Sequence, residues 1–182
     1  MEHRSAGELA AGLDEIRRSP ADQGTVELIV RRPAEDEREV LDEGVLDLDE
    51  GLIGDMWRRR GSSRTRDGSA NPDAQLTLMN ARTAELVAGS RERWPLAGDQ
   101  LFVDLDLSVE NLPAGTRLAI GRAIVEVTAE PHTGCAKFSA RFGSDAITFV
   151  NKSPGRELRL RGVNTRVVAP GAIRVGDAIA RL

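Results

Sequence analysis

Ile124-Val125-Glu126-Val127-Thr128, followed by Pro131-His132-Thr133-Gly134-Cys135-Ala136-Lys137-Phe138-Ser139-Ala140-Arg141-Phe142-Gly143, is the stretch on which the reading of this chain turns. The first five residues alternate and are rich in β-branched side chains, so they predict a strand, which Pro131 and Gly134 then break. From Cys135 to Phe142 the spacing predicts a short helix. Lys137 and Arg141 share one face, Phe138 and Phe142 an adjacent one, and Gly143 ends it. The only cysteine and one of the two histidines therefore sit in a strand-to-helix turn. A thiol placed there, with Lys137, Arg141 and a protonated His132 nearby, has its thiolate stabilised by the helix dipole and by positive charge. Such a sulfur can attack, carry sulfur or ligate a metal. A lone cysteine is also often only a small buried hydrophobe; here the flanking cations favour function.

Working outward, short apolar runs alternate with glycine and proline turns. Leu118-Ala119-Ile120 is a strand before Gly121. Leu101-Phe102-Val103-Asp104-Leu105-Asp106-Leu107 alternates apolar and acidic or aromatic positions as a half-buried strand does. Gln75 to Met79 predicts a strand, Asn80 a helix cap, and Ala81 to Gly89 the helix; Pro95 to Asp99 is a turn. Downstream, Asp145 to Val150 predicts one helical turn. Val163 to Val168 and Ala178 to Leu182 are closing strands, separated by Pro170-Gly171 and Gly176-Asp177. Near the start, Ser5-Ala6-Gly7-Glu8 fits a capping box, and Leu9, Leu13 and Ile16 give the apolar stripe of one peripheral helix ending at Ser19-Pro20. Thr25 to Arg31 is a strand and Glu37 to Asp42 a second. The pattern predicts a mainly β protein, a β-barrel with a few helices at its rim. Residues 1–23 form a helical extension and 24–182 the barrel domain.

At 182 residues the chain has room for one well-cored domain, and hydrophobic residues at 40% with charged residues at 30% are ordinary for a soluble globular protein. Aromatic residues, at 3% with no tyrosine, are too sparse to build the core, which falls to Leu, Val, Ile and Ala. A net charge of −4 argues against nucleic acid or anionic membrane as partner. No apolar run approaches a membrane span, and Met1-Glu2-His3-Arg4-Ser5 lacks the apolar core of a signal peptide, so the expected location is the cytoplasm. One cysteine excludes an internal disulfide, a multi-cysteine zinc site and an iron–sulfur centre built from this chain alone. Any electrons used must come from a partner. The acidic residues between Glu35 and Glu50 lack the spacing of a calcium loop and read as a solvated face.

Gly51-Leu52-Ile53-Gly54-Asp55-Met56-Trp57-Arg58-Arg59-Arg60-Gly61 leads into a Gly/Ser-rich run to Asn71-Pro72. A loop of this length in a compact domain is either functional or disordered. Five arginines between residues 58 and 66 suit an anionic ligand, since guanidinium groups bind phosphate bidentately, and they equally suit a solvated basic loop. Trp57, beside Gly54-Asp55, either walls a flat ligand or anchors the loop.

Gly121-Arg122-Ala123-Ile124-Val125-Glu126-Val127-Thr128, then His132-Thr133-Gly134-Cys135-Ala136-Lys137-Phe138, then Leu160-Arg161-Gly162-Val163-Asn164-Thr165-Arg166-Val167, then Gly171-Ala172-Ile173-Arg174-Val175-Gly176-Asp177 together resemble the MOSC domain, named for the C-terminal part of molybdenum cofactor sulfurases. Gly51-Leu52-Ile53-Gly54-Asp55 resembles the N-terminal motif of that family. The sequence looks most like the small stand-alone bacterial members. It departs from the sulfurases, whose pyridoxal phosphate belongs to an attached desulfurase domain, and from reductases with a ferredoxin domain.

The resemblance implies a β-barrel binding a molybdenum–pterin cofactor (molybdopterin), with Cys135 at the position of the family cysteine. In the reductase branch that cysteine ligates molybdenum and N-hydroxylated compounds are reduced; in the sulfurase branch it accepts sulfur as a persulfide. The expected site follows: Cys135 as metal ligand, His132 as proton relay, and Lys137, Arg141, Arg161, Asn164, Gly54, Asp55, Trp57 and Arg58, with Arg59 as the alternative to Arg58, around the cofactor. The first functional reading is an oxidoreductase acting on a small molecule with a separate electron-donating reductase. The second is a sulfur carrier served by a separate cysteine desulfurase. The third is a pterin- or anion-binding module without turnover.

Overall fold

The computed structural model describes residues 3–182. Its strands are β1 (Gln23–Arg31), β2 (Glu39–Leu41), β3 (Glu43–Asp47), β4 (Gly51–Leu52), β5 (Leu76–Asn80), β6 (Leu101–Asp104), β7 (Arg117–Ile120), β8 (Ala123–Val127), β9 (Val163–Ala169), β10 (Gly171–Arg174) and β11 (Ala178–Arg181). The α-helices are α1 (Ala6–Ala11), α2 (Leu13–Arg17), α3 (Trp57–Arg60), α4 (Ala81–Ala88), α5 (Ala136–Phe142) and α6 (Ser144–Asn151).

Seven strands close into a barrel in the order β1-β6-β5-β9-β8-β7-β11 and back to β1, the closure running through Gln23↔Ala180 to Thr25↔Ala178. Closure leaves the ring without an unpaired edge. Neighbours are antiparallel except β5 and β6, which α4 and the 3-10 helix Arg91–Ala97 connect. A parallel pair needs such a crossover, whereas antiparallel strands can share a tight turn, as β7 and β8 do around Gly121.

Two apolar cores lie on opposite sides of β1, β5 and β6. Val26, Ile29, Leu78, Leu101 and Val103 point into the barrel, while Leu28, Val30, Met79 and Phe102 point out beneath the helices. On β1 a bulge between Val26 and Leu28 switches which side the side chains face. The barrel interior holds no aromatic residue among its buried members; Trp94, Phe102, Phe138 and Phe142 all belong to the outer core. Each aliphatic side chain so buried contributes roughly 1.5–3 kcal/mol.

The N-terminal segment packs into the outer core through Leu9 and Ile16, and Ala6 N–H donates to Asp145 Oδ2 of α6 at 2.9 Å. The capping box at Ser5 and Glu8 is formed. In place of the expected single helix there are two, broken at Gly12, where a Cβ would lie 2.5 Å from Leu86 Cδ1. Residues 1 and 2 of the expected extension lie outside the described residues.

Two strands occur where the sequence reading placed turns. β3 and β10 pair from Gly171↔Leu46 to Arg174↔Glu43 and form, with β4, a small second sheet. Their runs are short and carry charged ends, so no apolar alternation marks them. The strand expected through Leu107 stops at Asp104, because Asp106 N–H turns to Pro20 O at 2.8 Å, although Leu105 and Leu107 stay buried. The single turn expected at 145–150 is the full helix α6.

Candidate functional site

β8 leaves the barrel at Val127, and its continuation is held from two sides before it reaches the cysteine. Asn164, buried on β9, donates from Nδ2 to Glu130 O at 3.1 Å and to Pro131 O at 3.2 Å, while its own carbonyl accepts Thr128 N–H at 3.0 Å. Asn151, at the end of α6, accepts Gly134 N–H at 2.8 Å and donates back to Gly134 O at 3.1 Å. Cys135 follows as the residue preceding α5, extended at φ −116° and ψ 179°, with its side chain exposed. Phe138 and Phe142, both buried and 4.9 Å apart between ring centres, fasten α5 to the outer core. The expected strand–turn–helix around the cysteine is therefore formed, with its turn fixed by side-chain-to-backbone bonds.

Cys135 opens on a cleft of ≈ 540 Å³ between α5, residues 32–38 and the segment 56–64. Its basic lining residues are Arg32, Arg38, Arg60, Arg64, Lys137, Arg141 and Arg161. Most are paired. Arg32 binds Asp55, Arg64 binds Glu130, Arg161 binds Asp99, Lys137 binds Glu35 at 2.8 Å and Asp36 at 3.4 Å, and Arg141 binds Asp36 at 2.9 Å. Among the described residues, Arg38 and Arg60 form no ion pair; Arg38 donates only to carbonyls, Pro95 O at 3.1 Å and Glu37 O at 2.6 Å. Burial, then the neighbouring arginines, lowers the pKa of both guanidinium groups, Arg141 and Arg32 acting on Arg38 and Arg32 on Arg60. Guanidinium groups stay charged through such shifts, so the cleft holds uncompensated positive charge.

Arg161 and His132 line the cleft, and both face the buried Asp99. Asp99 is fully buried and its Oδ2 accepts from Arg161 Nη1 at 2.6 Å; Arg161 also donates to Ala97 O at 2.9 Å and stacks 5.0 Å over the Phe138 ring. His132 Nε2 stands 3.2 Å from Asp99 Oδ1. Asp99 Oδ1, His132 Nε2 and Arg161 Nε are buried polar atoms without a partner. Burial pushes the Asp99 carboxyl up, but Arg161 and His132 outweigh it and hold it below the usual carboxylate value. Burial pushes His132 down and Arg161 adds to this, while Asp99 opposes with less effect. His132 is therefore neutral at pH 7.

The sequence-predicted residues divide between this cleft and its surroundings. Cys135, His132, Lys137, Arg141, Arg161 and Asn164 line it together. Gly54, Asp55, Trp57 and Arg58 do not. Gly54 turns at φ +85° against Arg31. Asp55 takes both oxygens to the Arg32 guanidinium, and Trp57 is buried as the start of α3. Arg58 pairs with Glu50 at 2.7 Å on the surface, and Arg59 donates to Pro33 O at 2.8 Å. The loop after α3 is tied down: Thr65 Oγ1 bonds Ser62 O and Ser69 O, and Arg64 reaches Glu130. Sequence reading missed Arg38, Asp99 and Asn151, and it grouped Arg60 with its neighbours. Asp99 was visible only as part of a turn, and nothing local distinguishes Arg38 from the other arginines.

The family profile described as MOSC domain matches residues 65–180. The chain belongs to the MOSC family, whose domain is associated with the molybdenum cofactor. Among solved structures it is similar to the YuaD protein of Bacillus subtilis, with 17% identity, a TM-score of 0.60, and coverage of 86% of this chain and 94% of that one. It is also similar to YiiM of Escherichia coli, at 20% identity and TM-score 0.56, covering 87% and 69%. These likenesses show the mainly β barrel fold of the family. Comparison with curated protein sequences gives no match. Among the described residues no helix is long and apolar enough to cross a membrane, and no three His, Cys, Asp or Glu side chains converge to hold a metal ion.

Proposed function

We propose that this protein is a molybdenum-cofactor-binding oxidoreductase that reduces N-hydroxylated small molecules with electrons from a separate reductase. The observation that carries this reading is the pairing, in one cleft, of an exposed thiol with two arginines that have no carboxylate partner. Soft thiolate suits molybdenum, and guanidinium suits the phosphate of a pterin. The residues present fit the group: Cys135 would ligate the metal and Arg38 and Arg60 would hold the phosphate. When bound, the cofactor supplies two-electron transfer at the metal.

This chain's own residues supply position and proton handling. Asn151 and Asn164 fix the turn that presents Cys135. Lys137 and Arg141, engaged with Glu35 and Asp36, clasp the 33–38 segment to α5 at the rim rather than standing free for a ligand. His132 would serve as a proton relay beside the cleft, its lowered pKa leaving it neutral at pH 7 with Nε2 3.2 Å from Asp99 Oδ1.

The sulfur-carrier reading draws on the exposure of Cys135, which a persulfide handed between proteins requires. Two assays separate the readings. Cofactor-loaded protein given a chemical reductant and an amidoxime should form the amidine, and Cys135→Ser should not. Apo protein given a cysteine desulfurase and cysteine should gain no sulfur mass. Sulfur gained by the wild type and not by Cys135→Ser, without amidoxime turnover, would replace the oxidoreductase by the carrier.

A further inference from the structure

A second cavity, of ≈ 190 Å³, lies behind residues 130–133. It shares residues 130–133, Arg161 and Asn164 with the cysteine cleft, the Glu130 carboxylate among them being paired with Arg64, and it adds walls of its own: the aliphatic Val109, Val150 and Val163, and the segment that carries Arg156 and Arg159. Among the described residues neither Arg156 nor Arg159 forms an ion pair. Arg159 is partly buried and held to Leu112 O at 2.6 Å, at a left-handed φ of 48°. Arg161, with its side chain 8% exposed, leaves Nε without a partner beside the same space. A partly buried guanidinium without a counter-charge is a desolvation cost that an anion would offset. The valine walls call for a ligand with an apolar body as well as a charged head.

We propose that this cavity binds a small organic carboxylate, its head on Arg159 and Arg156 and its short carbon body against Val109, Val150 and Val163. The volume is below the ~300–1,000 Å³ of sites for drug-sized ligands, which limits the acid to a few carbons. Arginine engages a carboxylate with two parallel hydrogen bonds, a geometry that a point cation cannot match. Cys135 does not line it.

Titration of isobutyrate into the full-length protein, followed by amide NMR shifts and calorimetry, tests this. Saturable binding is expected, with shifts at residues lining this cavity, and the neutral isostere isobutyramide should not bind. Arg159→Gln should weaken isobutyrate at least tenfold. Val109→Phe, at a half-exposed position on the wall, should block the cavity without disturbing the cores, and it carries the test should Arg159→Gln fail to fold. Cys135→Ser should bind isobutyrate as the wild type does, so loss of the cofactor reading leaves this one standing. Absence of saturable binding, or binding unchanged in Arg159→Gln and Val109→Phe, overturns the site. Sulfate binding as tightly as isobutyrate overturns the role of the valine walls and with it the assignment to an organic acid.

Discussion

Two buried arginine–aspartate pairs border the cleft, and they are built differently. In Arg32–Asp55 every oxygen is engaged: Oδ1 accepts from Arg32 Nη2 at 2.8 Å and Trp57 N at 2.9 Å, and Oδ2 from Arg32 Nε and Arg32 N, each at 2.9 Å. In Arg161–Asp99 one oxygen accepts from arginine, while the other faces His132 without a hydrogen bond and Arg161 Nε has no partner. The first pair joins the residue after β1 to the turn before α3 and is closed. The second, whose Arg161 lines the same cleft as Cys135, has hydrogen-bonding capacity left over. Native structures satisfy nearly all buried polar atoms, so leftover capacity makes the second pair a candidate functional element, whereas the complete satisfaction of the first is that of a structural joint.

Breaking the closed pair should have the largest effect. Asp55→Asn leaves the Arg32 charge buried and uncompensated, and urea unfolding should show a loss of about 3–5 kcal/mol. Asp99→Asn strands Arg161 in the same way, but its network is already incomplete, so the loss should fall at or below about 3 kcal/mol. A larger loss for Asp99→Asn than for Asp55→Asn would break the comparison.

Next in size is a pH effect confined to the open pair. The folded pKa of His132 is lowered by burial and by Arg161. As pH falls below the unfolded value of ~6.5, the unfolded chain takes up a proton that the folded one refuses. The stability from His132 is thus fully present above that pH and is lost on acidification towards the folded pKa, at up to about 1.4 kcal/mol per pH unit. Unfolding free energies at pH 7.5, 6.5 and 5.5 should slope downward in the wild type and less in His132→Gln. Equal slopes in the two proteins would mean that His132 is not held neutral.

These contrasts also show what the sequence could and could not disclose. Alternation along β8 and the i, i+4 phenylalanines of α5 are local signals, and strand, turn and helix all stand where they were expected. The barrel followed from the same alternation repeated between glycine and proline turns. β3 and β10 escaped because their pairing is with each other, across more than 120 residues of chain, and neither carries its own apolar period. Charge partners escaped for the same reason. Nothing local says that Lys137 meets Glu35 and Asp36, that Arg161 is buried against Asp99, or that Arg38 is left without a carboxylate. The acidic run expected to be a solvated face supplies, at its first two members, the counter-charges of α5.

The smallest effect is expected at that surface clasp. Lys137 and its partners are exposed, so Lys137→Ala should leave the unfolding midpoint nearly unchanged, and any difference from wild type should vanish at 1 M salt, where screening acts within about 3 Å. A salt-independent loss would mean that Lys137 does more than hold the 33–38 segment.

The central claim is that the thiol and the two unpaired arginines form one cofactor site. Its most direct test is the molybdenum and pterin content of protein purified from a cofactor-producing host, compared among wild type, Cys135→Ser and Arg38→Gln/Arg60→Gln. The account predicts near-equal molar molybdenum and pterin in the wild type, loss of molybdenum in Cys135→Ser, and loss of both in the double arginine variant. Wild-type protein free of both, and unable to take them up on reconstitution, would contradict it.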